Sequence, residues 1–159
     1  VLRCDNVQIV CQLIDGKFPD YQMILPKSHK TRTLVSTTEL LKACKQANII
    51  ARESSHVVRF HLSPKPEQAV EPGGEARAKV ILQAEADTAG ASQIELPAIV
   101  EGPELEIAFN VKFLLEGLEA VTTDQVVIET NTHNSPAVLR PANDTDWMYV
   151  LMPMHIEVK

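Results

Sequence analysis

Few side chains in this 159-residue sequence stand at spacings that could do chemistry. His56 and His61 are five apart in a stretch that reads as a strand. Odd spacing turns them to opposite faces, so they cannot share a metal. His133-Asn134 falls in a turn without a nucleophile at a meaningful spacing. A hydrolase using His133 and a nearby carboxylate is the enzyme reading to set against this, and it requires loss of activity in H133A. Asp144 and Asp146 flank Thr145 in a loop, where such residues form turns more readily than a magnesium pair. Gly73-Gly74 lies in a Pro-rich stretch rather than after a strand, which does not suit a phosphate loop. Cys4, Cys11 and Cys44 are an odd number without metal-ligand spacing, a usage that suits a reducing cytoplasm. No catalytic residue, metal or cofactor is expected.

With 45% hydrophobic and 23% charged residues, the composition is that of an ordinary globular protein. The length allows one good core, or one domain with part of another. No apolar run is long enough for a membrane helix, and no stretch reads as a signal peptide. The chain opens Val1-Leu2-Arg3 directly on a strand pattern, which reads as a fragment of a longer protein. The net charge of −6 argues against holding DNA by bulk charge. Its distribution is uneven: residues 27–59 carry Lys27, Lys30, Arg32, Lys42, Lys45, Arg52 and Arg59 against Glu39 and Glu53. That is +5 in one segment, leaving −11 for the remainder.

Residues 1–14 read as a hairpin turning at Asp5-Asn6, with Val7, Ile9 and Cys11 in period two. Asp15-Gly16 starts a turn, and Phe18-Pro19-Asp20-Tyr21 is extended because the residue before proline avoids the α region. The linker Pro26-Lys27-Ser28-His29-Lys30 suggests a boundary between residues 1–26 and 27–159. A strand at 31–35 leads into Ser36-Thr37-Thr38-Glu39, a capping box. Leu40, Leu41, Cys44, Ala47 and Ile50 or Ala51 then recur at helical spacing. Strands are expected at 56–62, 76–84 and 91–100, with a long Pro/Gly loop at 64–74. The pattern then repeats: a strand at 105–109, Asn110 as N-cap, and a stripe of Val111, Leu114, Leu115, Leu118 and Val121. Strands at 125–130, 137–140 and 147–152 complete the second copy. Ser36 and Asn110 lie 74 residues apart (110 − 36). Residues 31–156 therefore read as two copies of strand, helix and three strands. The expected fold class is α+β and pseudo-symmetric, with antiparallel sheet outside and two helices side by side on one face.

The stretch Trp147-Met148-Tyr149-Val150-Leu151-Met152-Pro153-Met154-His155-Ile156 is too short to span a bilayer. It begins as a strand, and Pro153 must end the pairing or move it to an edge. Methionines on both sides of that proline offer an adaptable apolar surface.

Four motifs occur in one order: Asp15-Gly16-Lys17-Phe18-Pro19-Asp20-Tyr21, Ile107-Ala108-Phe109-Asn110-Val111, Asn134-Ser135-Pro136-Ala137 and Tyr149-Val150-Leu151-Met152-Pro153-Met154. Together they strongly resemble the bacterial sliding clamp, the β subunit of DNA polymerase III. The resemblance implies a DNA clamp fold and a homodimeric ring of three-domain subunits encircling duplex DNA without reading its sequence. Residues 1–26 would be the last strands of a middle domain and 27–159 the third domain. The function implied is a non-catalytic processivity factor of the polymerase III holoenzyme. An alternative is a peptide-binding module without ring or DNA function.

The resemblance also implies site residues. Polymerase, clamp loader and repair proteins would insert a Gln-Leu-x-Leu-Phe-like segment into an apolar pocket. Its walls would be Pro19, Met23, Ile24, Pro136, Val150, Leu151, Met152, Pro153, Met154, His155 and Ile156. Gln22 and Met23 stand where many relatives carry a basic residue, and the chain runs on past Met154 as His155-Ile156-Glu157-Val158-Lys159. Lys42, Lys45, Arg52 and Lys112 would face DNA phosphates. Ile49 and Ile50 would form the interface between the two subunits. Residues 18–24 are expected to anchor the leading segment while 1–14 pair opportunistically.

Overall fold

Ser36 closes a strand and opens a helix, and Asn110 does the same. In the computed structural model, which describes residues 1–16, 18, 20–64, 78–144 and 146–155, both side chains cap as their types dictate. Ser36 Oγ accepts the Glu39 amide at 3.4 Å, and Asn110 Oδ1 accepts the Lys112 amide at 3.0 Å. The elements run β1 (Leu2–Cys4), β2 (Val7–Ile9), a 3-10 turn (Tyr21–Met23), β3 (Thr31–Ser36), α1 (Thr37–Ala51), β4 (Val57–Ser63), β5 (Lys79–Ala86) and β6 (Gly90–Glu101). Then come β7 (Leu105–Asn110), α2 (Val111–Glu119), β8 (Gln125–Thr130), β9 (Ala137–Pro141) and β10 (Tyr149–Leu151). The repeat expected from the caps is present as β3-α1-β4-β5-β6 and β7-α2-β8-β9-β10.

Neither repeat is self-contained. The sheet order β10-β9-β8-β3-β6-β5-β4-β7 places the first strand of each repeat beside the first meander strand of the other. β3 pairs with β8, Leu34 facing Val127, and β7 pairs with β4, Phe109 facing Val58. The first helix amides take part in the same exchange. Thr37 N–H donates to the Asp124 carbonyl at 2.9 Å, and Val111 N–H to the His56 carbonyl at 2.8 Å. Each helix thus has one of its orphan first-turn donors satisfied from beyond its own repeat.

All pairings in the large sheet are antiparallel, and alternation along the strands separates core from surface. β4 buries Val58, Phe60 and Leu62, and β5 buries Val80, Leu82 and Ala84. Phe60 and Phe109 meet edge-on with centroids 5.6 Å apart. The helices cover this core from one side: α1 buries Leu40, Ala43, Cys44, Ala47 and Ala51, and α2 buries Val111, Leu114, Gly117 and Leu118. Small residues on α1 let it lie close to the sheet. The outer face carries polar ladders, including Lys79–Glu95 at 3.0 Å and His61–Gln83 at 3.2 Å.

Several sequence expectations are corrected. The leading hairpin forms with Leu2 facing Ile9, but its second strand stops at Ile9 because the partner strand offers only three residues. Tyr21, expected to end the extended stretch from Phe18, instead begins a 3-10 turn (Tyr21–Met23) capped by Asp20. So short a turn buries no face, and Phe18 and Met23 are 80% and 84% exposed rather than anchored. His56 precedes β4 with φ of +58°, closing the α1 turn through its N–H to the Ala51 carbonyl. It is not a strand residue. The last strand pairs over Tyr149–Leu151 alone, because its partner β9 is bounded by Pro136 and Pro141, neither of which can donate. The expected 64–74 loop lies, beyond Pro64, outside the described residues.

The linker is tied to the end of β8. Asn131 Nδ2 donates to the Ser28 carbonyl at 2.6 Å, and Lys30 N–H to the Thr130 carbonyl at 3.0 Å. Gly102, at φ +103°, passes so close to the Lys30 carbonyl that a Cβ there would collide with it. Only glycine fits that turn.

Replacing Ser36 or Asn110 by alanine should each lower unfolding free energy by about 1 kcal/mol. The expected readout is a lower urea midpoint with an unchanged slope. A shift indistinguishable from zero in both variants would contradict the capping roles.

Candidate functional site

β10 lies at one end of the sheet order and β7 at the other, so both leave edge groups to satisfy. Among the described residues one backbone bond joins these ends: Met154 N–H donates to the Ala108 carbonyl at 2.8 Å. The equivalent junction in the first repeat is a full ladder, in which Ile99 faces Leu34 and Val100 faces Thr33. Leu34 and Ala108 are 74 residues apart (108 − 34), so the two junctions correspond. In the second, the described residues past Leu151 are not assigned to a strand, and Met154 alone among them bonds to β7, so a seam stands in place of a ladder.

Side chains along this seam divide sharply. Leu151 is 3% exposed and fixes the strand to the core, while Met152 is 62% exposed. Val150, Pro153 and Met154 are half-buried, and His155 is exposed. β10 also packs against α2, whose first turn begins at Val111. Phe113, 56% exposed, stands on that turn. Pro136 is half-buried just ahead of β9. Val150, Met152, Pro153 and Met154 thus make a partly exposed apolar strip at the end of the sheet.

Met23 and Ile24 are 84% and 49% exposed, so neither is sealed against this seam. Pro19 and Ile156 lie outside the described residues. Phe113 falls outside the sequence expectation, which rests on the buried stripe of α2. Its offset of two from Val111 turns it away from that stripe, and an exposed phenylalanine on a helix was the signal available.

The helices meet through their own charges. Lys45 Nζ contacts Glu119 Oε1 across α1 and α2 at 3.0 Å, and Arg52 pairs with neighbouring Glu53 at 3.1 Å. Lys42 and Lys112 are exposed, and among the described residues neither has an ion-pair partner. The positive potential of this face is therefore weaker than its lysine count suggests. Ile49 is 57% exposed at a shallow apolar groove of about 440 Å³, lined also by Leu41 and the stems of Lys42 and Lys45. Ile50 is partly buried against the core.

Side chains with chemical potential are dispersed. Among the described residues no group of three or more His, Cys, Asp or Glu could hold a metal. His133 is exposed, 2.9 Å from the Asn134 amide nitrogen. Asp144 accepts the Asp146 amide at 2.8 Å, which is turn formation.

A family profile described as "DNA polymerase III beta subunit, C-terminal domain" matches residues 22–155. Among curated proteins, a beta sliding clamp of Synechococcus elongatus is 29% identical over 98% of this chain and 39% of its own length. A beta sliding clamp of Pseudomonas putida is 32% identical over 91% of this chain and 36% of its own. The solved DNA polymerase III beta subunit of Thermotoga maritima superposes with a TM-score of 0.80 at 26% identity, covering 90% of this chain and 35% of that one. The equivalent protein of Pseudomonas aeruginosa superposes at 0.79 with 30% identity, covering 91% and 36%. The chain thus spans under two-fifths of the length of these relatives.

The thiols differ in a way that can be measured. Burial pushes the Cys44 thiol far above its ordinary range, so it stays protonated and shielded, while Cys4 and Cys11 are exposed. Alkylation of the native chain should label Cys4 and Cys11 and spare Cys44 until urea is added, as read by peptide mass spectrometry. Labelling of native Cys44 at the rate of the other two would contradict the core described above.

Proposed function

The chain belongs to the family of C-terminal domains of the DNA polymerase III beta subunit, and from that membership we propose that it acts as part of a sliding clamp. In this reading residues 27–159 form the third domain of each protomer, and residues 1–26 close the domain before it. The bonds from Asn131 and Thr130 to Ser28 and Lys30 support that boundary. The assembled protein is a homodimeric ring around duplex DNA that tethers the replicative polymerase in the cytoplasm. It is non-catalytic, so its contribution is topological rather than chemical.

The seam at β10 is the observation that carries the proposal. A short apolar peptide of the Gln-Leu-x-Leu-Phe kind places leucine and phenylalanine side chains against Val150, Met152, Pro153 and Met154, with Pro136 and His155 at the rim. Leu151 holds the strand from beneath. Pro19, Met23, Ile24 and Ile156 complete the wall in this reading, and Phe113 adds to it. An exposed methionine surface beside a strand edge accommodates more than one partner, which suits polymerase, clamp loader and repair proteins sharing a site.

Lys42, Lys45, Arg52 and Lys112 are assigned to the DNA-facing side. With Lys45 and Arg52 already paired to Glu119 and Glu53, the lining is weakly positive, and a ring held by topology needs no more than that. Ile49 and Ile50 are assigned to the interface between protomers. The exposure of Ile49 above an apolar groove supports this.

The test is titration of a fluorescent Gln-Leu-x-Leu-Phe peptide against the chain and its Met154→Ala variant. Saturable binding that the variant weakens by about tenfold is expected for a residue at the centre of such a contact. Binding unaffected by the substitution, or none at all, would remove the seam as the peptide site.

A further inference from the structure

α2 contains one residue that does not belong to its apolar stripe by size. Gly117 is buried in the last turn of the helix, on the same face as Leu114 and Leu118. Its environment gives the reason. A Cβ built there would stand 2.7 Å from Cδ1, 2.9 Å from Cε1 and 3.1 Å from Cγ of Tyr149. Since Cγ lies one bond beyond the Tyr149 Cβ, the ring can clear a methyl there only by leaving its χ1 rotamer or by moving with the strand that carries it. Trp147, two residues earlier, stacks on this ring with centroids 6.2 Å apart and planes 11° from parallel. Both aromatics are partly buried against the core. The Tyr149 hydroxyl is displaced upward in its titration, first by burial and then by nearby Glu116, which agrees with a ring laid along α2.

β10 needs such a support because it has few others. Three residue pairs join it to β9, and among the described residues beyond Leu151 a single backbone bond reaches β7. We propose that Tyr149, seated on Gly117 and backed by Trp147, is the positioning residue that sets the height of strand 149–154 over α2. It thereby sets the width of the apolar seam. This rests on the peptide-binding reading above and adds to it: the contact on α2 controls peptide affinity without touching peptide. Glycine is kept at 117 for the ring, at the expense of helix propensity.

The test is a double-substitution cycle on the whole chain with two readouts. One is affinity for the labelled Gln-Leu-x-Leu-Phe peptide; the other is emission and acrylamide quenching of Trp147, the sole tryptophan. Gly117→Ala should weaken peptide binding by about tenfold and make Trp147 more quenchable. Tyr149→Phe keeps the ring and should match the parent in both. Added to Tyr149→Ala, Gly117→Ala should cause no further loss and should raise the melting temperature, because alanine is the better helix former once the ring is gone. Tyr149→Leu probes the same contact without altering the helix, should Gly117→Ala fold poorly; it should reproduce the loss. Equal losses from Gly117→Ala in both backgrounds, or parent-like binding and quenching in Gly117→Ala, would overturn the proposal. If the parent itself binds no peptide, the functional reading fails. Trp147 quenching then still decides whether the ring positions the strand, and an unchanged signal in Gly117→Ala rejects that too.

Discussion

The exchange of first strands between the two repeats is the constraint on which the rest depends. β3 completes the meander of the second repeat and β7 that of the first, so neither half can bury its sheet or satisfy its helix start alone. A two-fold arrangement built this way has two equivalent junctions. Where β6 meets β3, a run of regular residues pairs fully. Where the chain after β10 meets β7, the described residues make one backbone bond, from Met154 to Ala108. The shorter junction leaves exposed apolar side chains such as Met152 there, and that place is the candidate site.

Much of the architecture was legible because its signals are local. Ser36 and Asn110 are residues whose side chains prefer to cap, and each precedes a stripe at helical spacing. Their separation exposed the repeat. What could not be read depended on residues far apart. Nothing near Met154 specifies Ala108 as its partner, and nothing near Lys45 specifies Glu119. β10 is shorter than its own residues suggest because its limits are set by prolines on the neighbouring strand. His56 reads as a strand residue because its neighbours are β-branched, whereas it serves the turn that ends α1.

Charge and apolar surface are separated in this molecule. The helices carry exposed Lys42, Lys45 and Lys112, β4, β5 and β6 carry compensated polar pairs, and Met152 and Met154 lie at the seam. Lys45 shows how composition can mislead. It belongs to the most basic segment, yet its charge is shared with an acidic residue from the other repeat. A surface that guides rather than grips results from such partial neutralisation. At the seam the opposite holds, since exposed side chains such as Met152 gain only when something covers them.

The most direct measurement is a two-dimensional NMR titration of the labelled chain with unlabelled Gln-Leu-x-Leu-Phe peptide. Shift changes concentrated on Val150, Met152, Met154 and the first turn of α2 around Phe113 are the predicted result. Changes centred on Leu41 and Ile49 of α1, with residues 150–154 silent, would contradict the assignment of the seam as the peptide site.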